Sequence, residues 1–196
     1  MKVVIIKYNA GNIQSVSFAL NRLGIDPVIT DDFDQIRNAD RVIFPGVGEA
    51  STTMKYLTES GLTELIPNLN QPVLGICLGM QLMCASSDEG NVKCLGIFDD
   101  PVIRFKPSEK HKIPHMGWSK IIDLQGSLFK GIEDSYVYFV HSYYVPLSEN
   151  GIASTSYIET YTSALQKDNF FATQFHPEKS GKIGEQILTN FLNYDN

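Results

Sequence analysis

The chain has 196 residues, 43% of them apolar and 19% charged, values of an ordinary globular protein. That length predicts one domain over residues 1–196, able to bury about 70% of its unfolded surface without a staple. Sixteen basic residues against 22 acidic ones leave a net charge of -6, the wrong sign for a nucleic-acid surface, and no apolar run approaches the roughly 18 residues of a membrane span.

The segment MKVVIIKY places only four apolar residues between its lysines, too few for a signal peptide, so a cytoplasmic protein is expected. Residues 3–6 read as a buried strand. Asn12 is placed to cap a helix whose Ile13, Val16, Leu20 and Leu23 share one stripe, and Gly24 stands where that helix should stop. Strands are expected over residues 27–30, 41–44 and 73–76, with helices near 52–59 and 78–85. This alternation predicts βαβ units around a largely parallel sheet. In the second half, residues 102–105, 136–140, 153–158, 163–167 and 171–175 are all strand-like. Asp168 and Asn169 suggest a tight hairpin turn, and a single helix near residues 181–192 carries Ile183, Ile187 and Phe191 on one face. With no repeat or linker in view, the parallel and antiparallel parts are expected to share one sheet. The fold class is α/β, with a mixed, mostly parallel central sheet flanked by helices.

Cys77, Cys84 and Cys94 are an odd number without a CxxC pair, which predicts reduced thiols, no zinc site and no metal or cofactor. Cys77 stands apart. In QPVLGICLGMQLM a buried strand runs into a small-residue turn and then a helix, with Gly75 and Gly79 two residues to either side of the cysteine. This is the spacing of a nucleophile elbow, in which the following helix directs its N-terminal amides toward the sulfur and favours a thiolate. Most free cysteines are small core hydrophobes, and Cys84 and Cys94, without such flanks, are assigned to the core.

A nucleophilic cysteine needs a base and a group to orient it. His111 lies between lysines and reads as solvated, His115 follows Pro114 in a turn-like segment, and His141 ends an apolar strand. His176 in FATQFHPEKS ends another strand and is followed two residues later by Glu178. In an extended segment such residues project to one side about 7 Å apart at Cα, so the carboxylate can reach the imidazole. A half-buried histidine paired with an acid is the plainer explanation, but strand ends at the carboxyl edge of an α/β sheet are where catalytic groups gather, and Cys77 sits at such an edge. The PGVGEA loop at residues 45–50 follows the third strand, and its amides could face an oxyanion. It lacks the spacing of a dinucleotide fingerprint and the lysine of a Walker motif.

With GICLGMQ, FHPEKS and the order Cys, His, Glu in view, the sequence resembles the class I (triad) glutamine amidotransferases. YNAGNIQSV at residues 8–16, PGVGEA, and PHMGWS at residues 114–119 are similar to segments of the glutaminase subunits of imidazole glycerol phosphate synthases, so the resemblance spans nearly the whole chain. It implies a flavodoxin-like fold and hydrolysis of glutamine, with ammonia passed to a cyclase subunit in a heterodimer. That subunit would convert a phosphoribosyl-formimino intermediate to imidazole glycerol phosphate and an aminoimidazole carboxamide ribotide. The resemblance casts Cys77 as nucleophile, His176 as acid and base, and Glu178 as the group that holds the imidazole.

By the same resemblance the loop amides of Gly46, Val47 and Gly48 with that of Leu78 form the oxyanion hole. Gly48, Gln81, Ser142 and Tyr143 hold the substrate, and Asn12, Trp118, Tyr138 and Lys179 face the cyclase. Core packing would otherwise account for Trp118 and Tyr138, and a helix cap and a solvated charge for Asn12 and Lys179. The sequence departs from the family's common residues at Asn9, Glu49 and Ala50. The family keeps its oxyanion loop out of position until the cyclase docks, and the glycine pair Gly46 and Gly48 suits a peptide flip of that kind. Three other readings stand beside this one: a paralogous amidotransferase feeding sugar-amidine synthesis, a stand-alone cysteine amidohydrolase, and a non-catalytic binding subunit.

Overall fold

The computed structural model describes residues 1–8 and 12–194. The first half runs β1 (Val3–Ile6), α1 (Ile13–Arg22), β2 (Val28–Thr30), α2 (Phe33–Arg37), β3 (Arg41–Gly46), α3 (Ala50–Glu59), α4 (Leu62–Leu65), β4 (Val73–Cys77) and α5 (Leu78–Met83). The second half runs β5 (Ser86–Ser87), β6 (Val92–Lys93), β7 (Pro101–Arg104), β8 (His115–Ile121), β9 (Ser135–His141), β10 (Tyr143–Tyr144), β11 (Gly151–Ser156), β12 (Thr160–Lys167), β13 (Phe170–Thr173) and α6 (Gly181–Leu192).

The central sheet has seven strands in the order β11-β12-β13-β4-β3-β1-β2. Pairings from β2 through β13 are parallel and the two that add β12 and β11 are antiparallel, so the sheet is mixed and mostly parallel, as expected. The unbroken apolar runs of β1, β3 and β4 follow from burial on both faces. Val3 and Ile5 point to a core shared with Val16 and Leu20 of α1 and Ile187 and Phe191 of α6. Val4 and Ile6 point to the opposite core, against Met54 and Leu57 of α3. Lys167 pairs with Phe170, and Asp168 adopts φ 53° between them, so Asp168 and Asn169 form the expected two-residue hairpin turn. Among the described residues, no helix is long and apolar enough to cross a membrane.

The expectation of one shared sheet holds for β11 to β13 and fails elsewhere. Residues 102–104 lie in β7 of a separate four-stranded sheet, with Phe105 just beyond it, and residues 136–140 lie in β9, which among the described residues pairs only with β8. Strand β8 is hidden in the sequence because two of its three outward positions, Met116 and Trp118 beside Lys120, are apolar, which blurs the alternation. The expected helix over residues 78–85 stops at Met83, where Cys84 turns extended. Asn12 does not cap α1 with its side chain; it adopts φ 74° and sends its amide elsewhere.

Helix α3 starts at Ala50, two residues before the expected start, because Glu49 supplies the cap. Its carboxylate accepts from the amides of Ser51 at 3.0 Å and Thr52 at 2.8 Å. Slight burial raises the Glu49 pKa, but these bonds outweigh it and hold the carboxyl down at about 2. A carboxyl depressed on folding stabilises above its unfolded pKa, and the gain is lost as pH falls toward the folded value. Glu49→Gln should therefore lower stability by about 1 kcal/mol at pH 6 in urea unfolding, with the gap from the parent narrowing at pH 3.

Candidate active site

Cys77 ends β4 and immediately precedes α5, with backbone φ 54° and ψ -107°. A positive φ is strained for a residue with a Cβ, and such strain persists only where the surroundings enforce it. Enforcement comes from the strands on either side and from Gly79, where an added Cβ would lie 1.9 Å from the Phe44 carbonyl oxygen. The first turn of α5 thus rests directly on β3, and the side chain of Cys77 is lifted over the carboxyl edge of the sheet. The thiol lies 3.8 Å from the Val140 carbonyl, and the Gln174 amide lies 3.8 Å from the sulfur.

His176 follows β13, the strand beside β4, and is fully buried. Its Nδ1 is 2.7 Å from Glu178 Oε1, and Asn12 Nδ2 donates to the same oxygen. The pairing is as expected, but the route differs: residues Pro177–Lys179 form a turn of 3-10 helix rather than extended chain, which folds the carboxylate back under the ring. Burial opposes the imidazolium, yet the neighbouring Cys77 sulfur and the hydrogen bond and charge of the Glu178 carboxylate more than compensate. Together they raise the His176 pKa to about 10. Nε2 is buried and has no hydrogen-bond partner among the described residues.

A cavity of about 350 Å³ opens beside Cys77. Val47, Gly48, Leu78, Gln81, Ser142 and Tyr143 are among the residues that line it. Gln81 Nε2 donates to the Tyr143 carbonyl and to Gln174 Oε1, both at 3.0 Å. The two loop glycines are held differently. Gly48 has φ +125° and open space where a Cβ would be, whereas Gly46 belongs to β3 and packs against the Tyr8 hydroxyl and the Gly79 amide. Trp118, 55% exposed, stands edge-on to Tyr138 at 6.1 Å, and the Lys179 ammonium lies 5.9 Å above the Tyr138 ring. These three form one surface patch, so core packing does not account for Trp118. Asn12, the fourth residue expected there, is half-buried, and its amide donates to Glu178 Oε1. Asn9 lies outside the described residues.

Sequence reasoning missed Glu89, which also lines the cavity and accepts from the Ala50 amide at 2.9 Å. Burial raises its pKa and the nearby Glu49 charge adds to this, against the pull of the Ala50 amide. In the polar run SSDEG nothing distinguishes Glu89 from a solvated loop acid. Cys84 and Cys94 are buried as expected. Burial pushes the Cys84 thiol well above its usual pKa and that of Cys94 to about 11, so neither is set up as a nucleophile.

In NMR titrations His176 should hold its proton above pH 8. Cys77→Ala should lower its midpoint, and Glu178→Gln should lower it by a smaller step. A midpoint unmoved in both variants would contradict this electrostatic account.

Residues 4–194 match the family model for glutamine amidotransferase class-I. The chain is 63% identical to imidazole glycerol phosphate synthase subunit HisH of Bacteroides fragilis strain YCH46, covering 98% of this chain and 99% of that protein. It is 49% identical to the HisH protein of Pectobacterium atrosepticum, with the same coverage. Among solved structures, PurLQS from Thermotoga maritima superposes with TM-score 0.72 at 16% identity, covering 98% of each chain. A glutamine amidotransferase from the same organism gives 0.62 at 16% identity, covering 98% of this chain and 83% of that one. At these identities the two structures speak for the fold alone.

Proposed function

From the premise that the chain belongs to the class I glutamine amidotransferase family, we propose that it is the glutaminase subunit of an imidazole glycerol phosphate synthase. The observation that carries the chemistry is the buried pair of His176 Nδ1 and Glu178 Oε1 at 2.7 Å, beside a cysteine held at a strand-to-helix bend. The Cys77 thiolate attacks the side-chain carboxamide carbon of glutamine. The oxyanion that forms is met by amides of the loop carrying Gly46, Val47 and Gly48 and by that of Leu78. His176 gives the departing nitrogen its proton, ammonia leaves, and a γ-glutamyl thioester remains on Cys77. Water, deprotonated by His176, then attacks the thioester, releasing glutamate and restoring the thiol. Glu178 keeps the ring oriented throughout, and Asn12 steadies Glu178.

Free glutamine is a zwitterion with an ammonium at its α-carbon. Glu89 offers that ammonium a carboxylate inside the cavity, and the ammonium in turn relieves the burial cost that raises the Glu89 pKa. Gln81, Ser142 and Tyr143 complete the holding surface. The ammonia goes to a cyclase subunit, whose docking we place on Trp118, Tyr138 and Lys179. An exposed tryptophan edge-on to a tyrosine, with a lysine above, has the composition of an interface anchor. Because Gly46 is fixed in β3, any reorientation of the oxyanion loop on docking is confined to the Val47–Gly48 peptide.

The test uses the chain co-expressed with its cyclase. Cys77→Ser should cut glutamine-driven turnover about a thousand-fold or more, while turnover driven by added ammonium salt stays within about two-fold of the parent. Glutamine-driven turnover that survives in Cys77→Ser would refute the nucleophile. A parent chain equally active without the cyclase would favour a stand-alone amidohydrolase.

A further inference from the structure

Behind the glutamine-holding segment lies a buried aromatic cluster that the mechanism above does not use. His115 of β8, His141 of β9 and Tyr161 of β12 are 1%, 6% and 0% exposed. The Tyr161 hydroxyl bridges the two rings, 3.1 Å from His115 Nδ1 and 3.1 Å from His141 Nε2. At the outer end His115 Nε2 lies 2.7 Å from Ser119 Oγ, and at the inner end His141 Nδ1 lies 2.8 Å from the Tyr143 carbonyl.

The proton order along this chain has one solution. A carbonyl only accepts, so His141 carries its proton on Nδ1, and Nε2 of the neutral ring must accept. Tyr161 has a single proton, which therefore goes to His141 Nε2, so the tyrosine oxygen accepts from His115 Nδ1–H. His115 Nε2 is then an acceptor, and Ser119 donates to it. Burial keeps both rings neutral: it lowers His141 to about 3, against the Tyr143 bond and with help from His115 and His176, and His115 to about 4, with help from His111. Burial likewise keeps Tyr161 a phenol. The Tyr143 carbonyl that ends this chain is the one that accepts from Gln81, so two of the four residues expected to hold glutamine converge on its last bond.

We propose that His115, Tyr161 and His141 are positioning residues, a one-way hydrogen-bond chain that fixes the Ser142–Tyr143 backbone and, through its carbonyl, the Gln81 amide for glutamine binding. Both histidines are locked as the Nδ1–H tautomer, and the chain spans three strands from two different sheets, β8 and β9 on one side and β12 on the other. Removing the Tyr161 hydroxyl breaks it at the centre. His141 then loses the donor that holds its Nε2 as acceptor, and the Tyr143 carbonyl loses its fixed orientation. This inference rests on the glutaminase reading, but its central geometric claim is measurable without activity.

Two measurements decide it. In 15N spectra of the whole chain, His115 and His141 should both show a protonated Nδ1 and a bare Nε2 at pH 7. A protonated Nε2 on either ring would overturn the chain, whether or not the protein hydrolyses glutamine. In the complex with the cyclase, Tyr161→Phe should raise the KM for glutamine about ten-fold while kcat changes less than about three-fold. A loss of folded protein alone would lower apparent kcat at constant KM. A folded Tyr161→Phe with KM within two-fold of the parent would also overturn the proposal. If that variant does not fold, Ser119→Ala at the half-exposed outer end takes its place. It should populate both His115 tautomers and raise KM two- to three-fold, and an unchanged His115 tautomer together with an unchanged KM would refute the chain.

Discussion

Everything at the proposed active centre depends on one strained residue. Cys77 holds a backbone conformation that a residue with a side chain avoids, and it can do so because the first turn of α5 lies against the Phe44 carbonyl with no room for a Cβ at Gly79. Were α5 to start one turn later or stand further from β3, the sulfur would drop into the core as those of Cys84 and Cys94 do. Because β4 is flanked by β3 and β13, the same strand that lifts Cys77 also sets its neighbours: the glycine-bearing loop after β3 on one side and His176 after β13 on the other. Sheet order, more than any local motif, brings together side chains that are distant in sequence.

The second dependence is electrostatic. His176 and Glu178 are taken fully out of water, which is costly for charged groups unless they meet each other or another charge. Here the carboxylate is met twice, by the imidazole and by Asn12, and the imidazolium is favoured by the Cys77 sulfur beside it. The outcome is a buried acid and base whose state depends on the sulfur; in the proposed mechanism acylation of Cys77 would remove that influence as the ring gives its proton to ammonia and takes one from water.

Much of this was legible from residue order alone. The strand, turn and helix around Cys77 were visible because glycines bracket the cysteine and apolar runs flank it. The pairing of His176 with Glu178 was visible because they stand two apart, although the backbone between them winds as a 3-10 turn. What remained hidden was long-range or inverted in pattern. β8 escaped because Met116 and Trp118 face outward, which is also why that face suits a partner. The turn of the Asn12 side chain toward Glu178 could not be read, since its residue type is equally that of a helix cap. Glu89 was invisible because a carboxylate in a polar turn acquires meaning only from the cavity behind it. Val102 and its neighbours look like any other strand, and only the fold shows that they pair outside the central sheet.

The central claim is that the Cys77 sulfur forms a covalent bond to the carboxamide carbon of glutamine. Its most direct test is to treat the complex with a glutamine analogue bearing an electrophilic carbon in place of the carboxamide, digest it, and locate the adduct by mass spectrometry. The account predicts one label per chain, on Cys77 and on neither Cys84 nor Cys94, and blocked by excess glutamine. A label on another residue, or labelling that glutamine does not prevent, would contradict it.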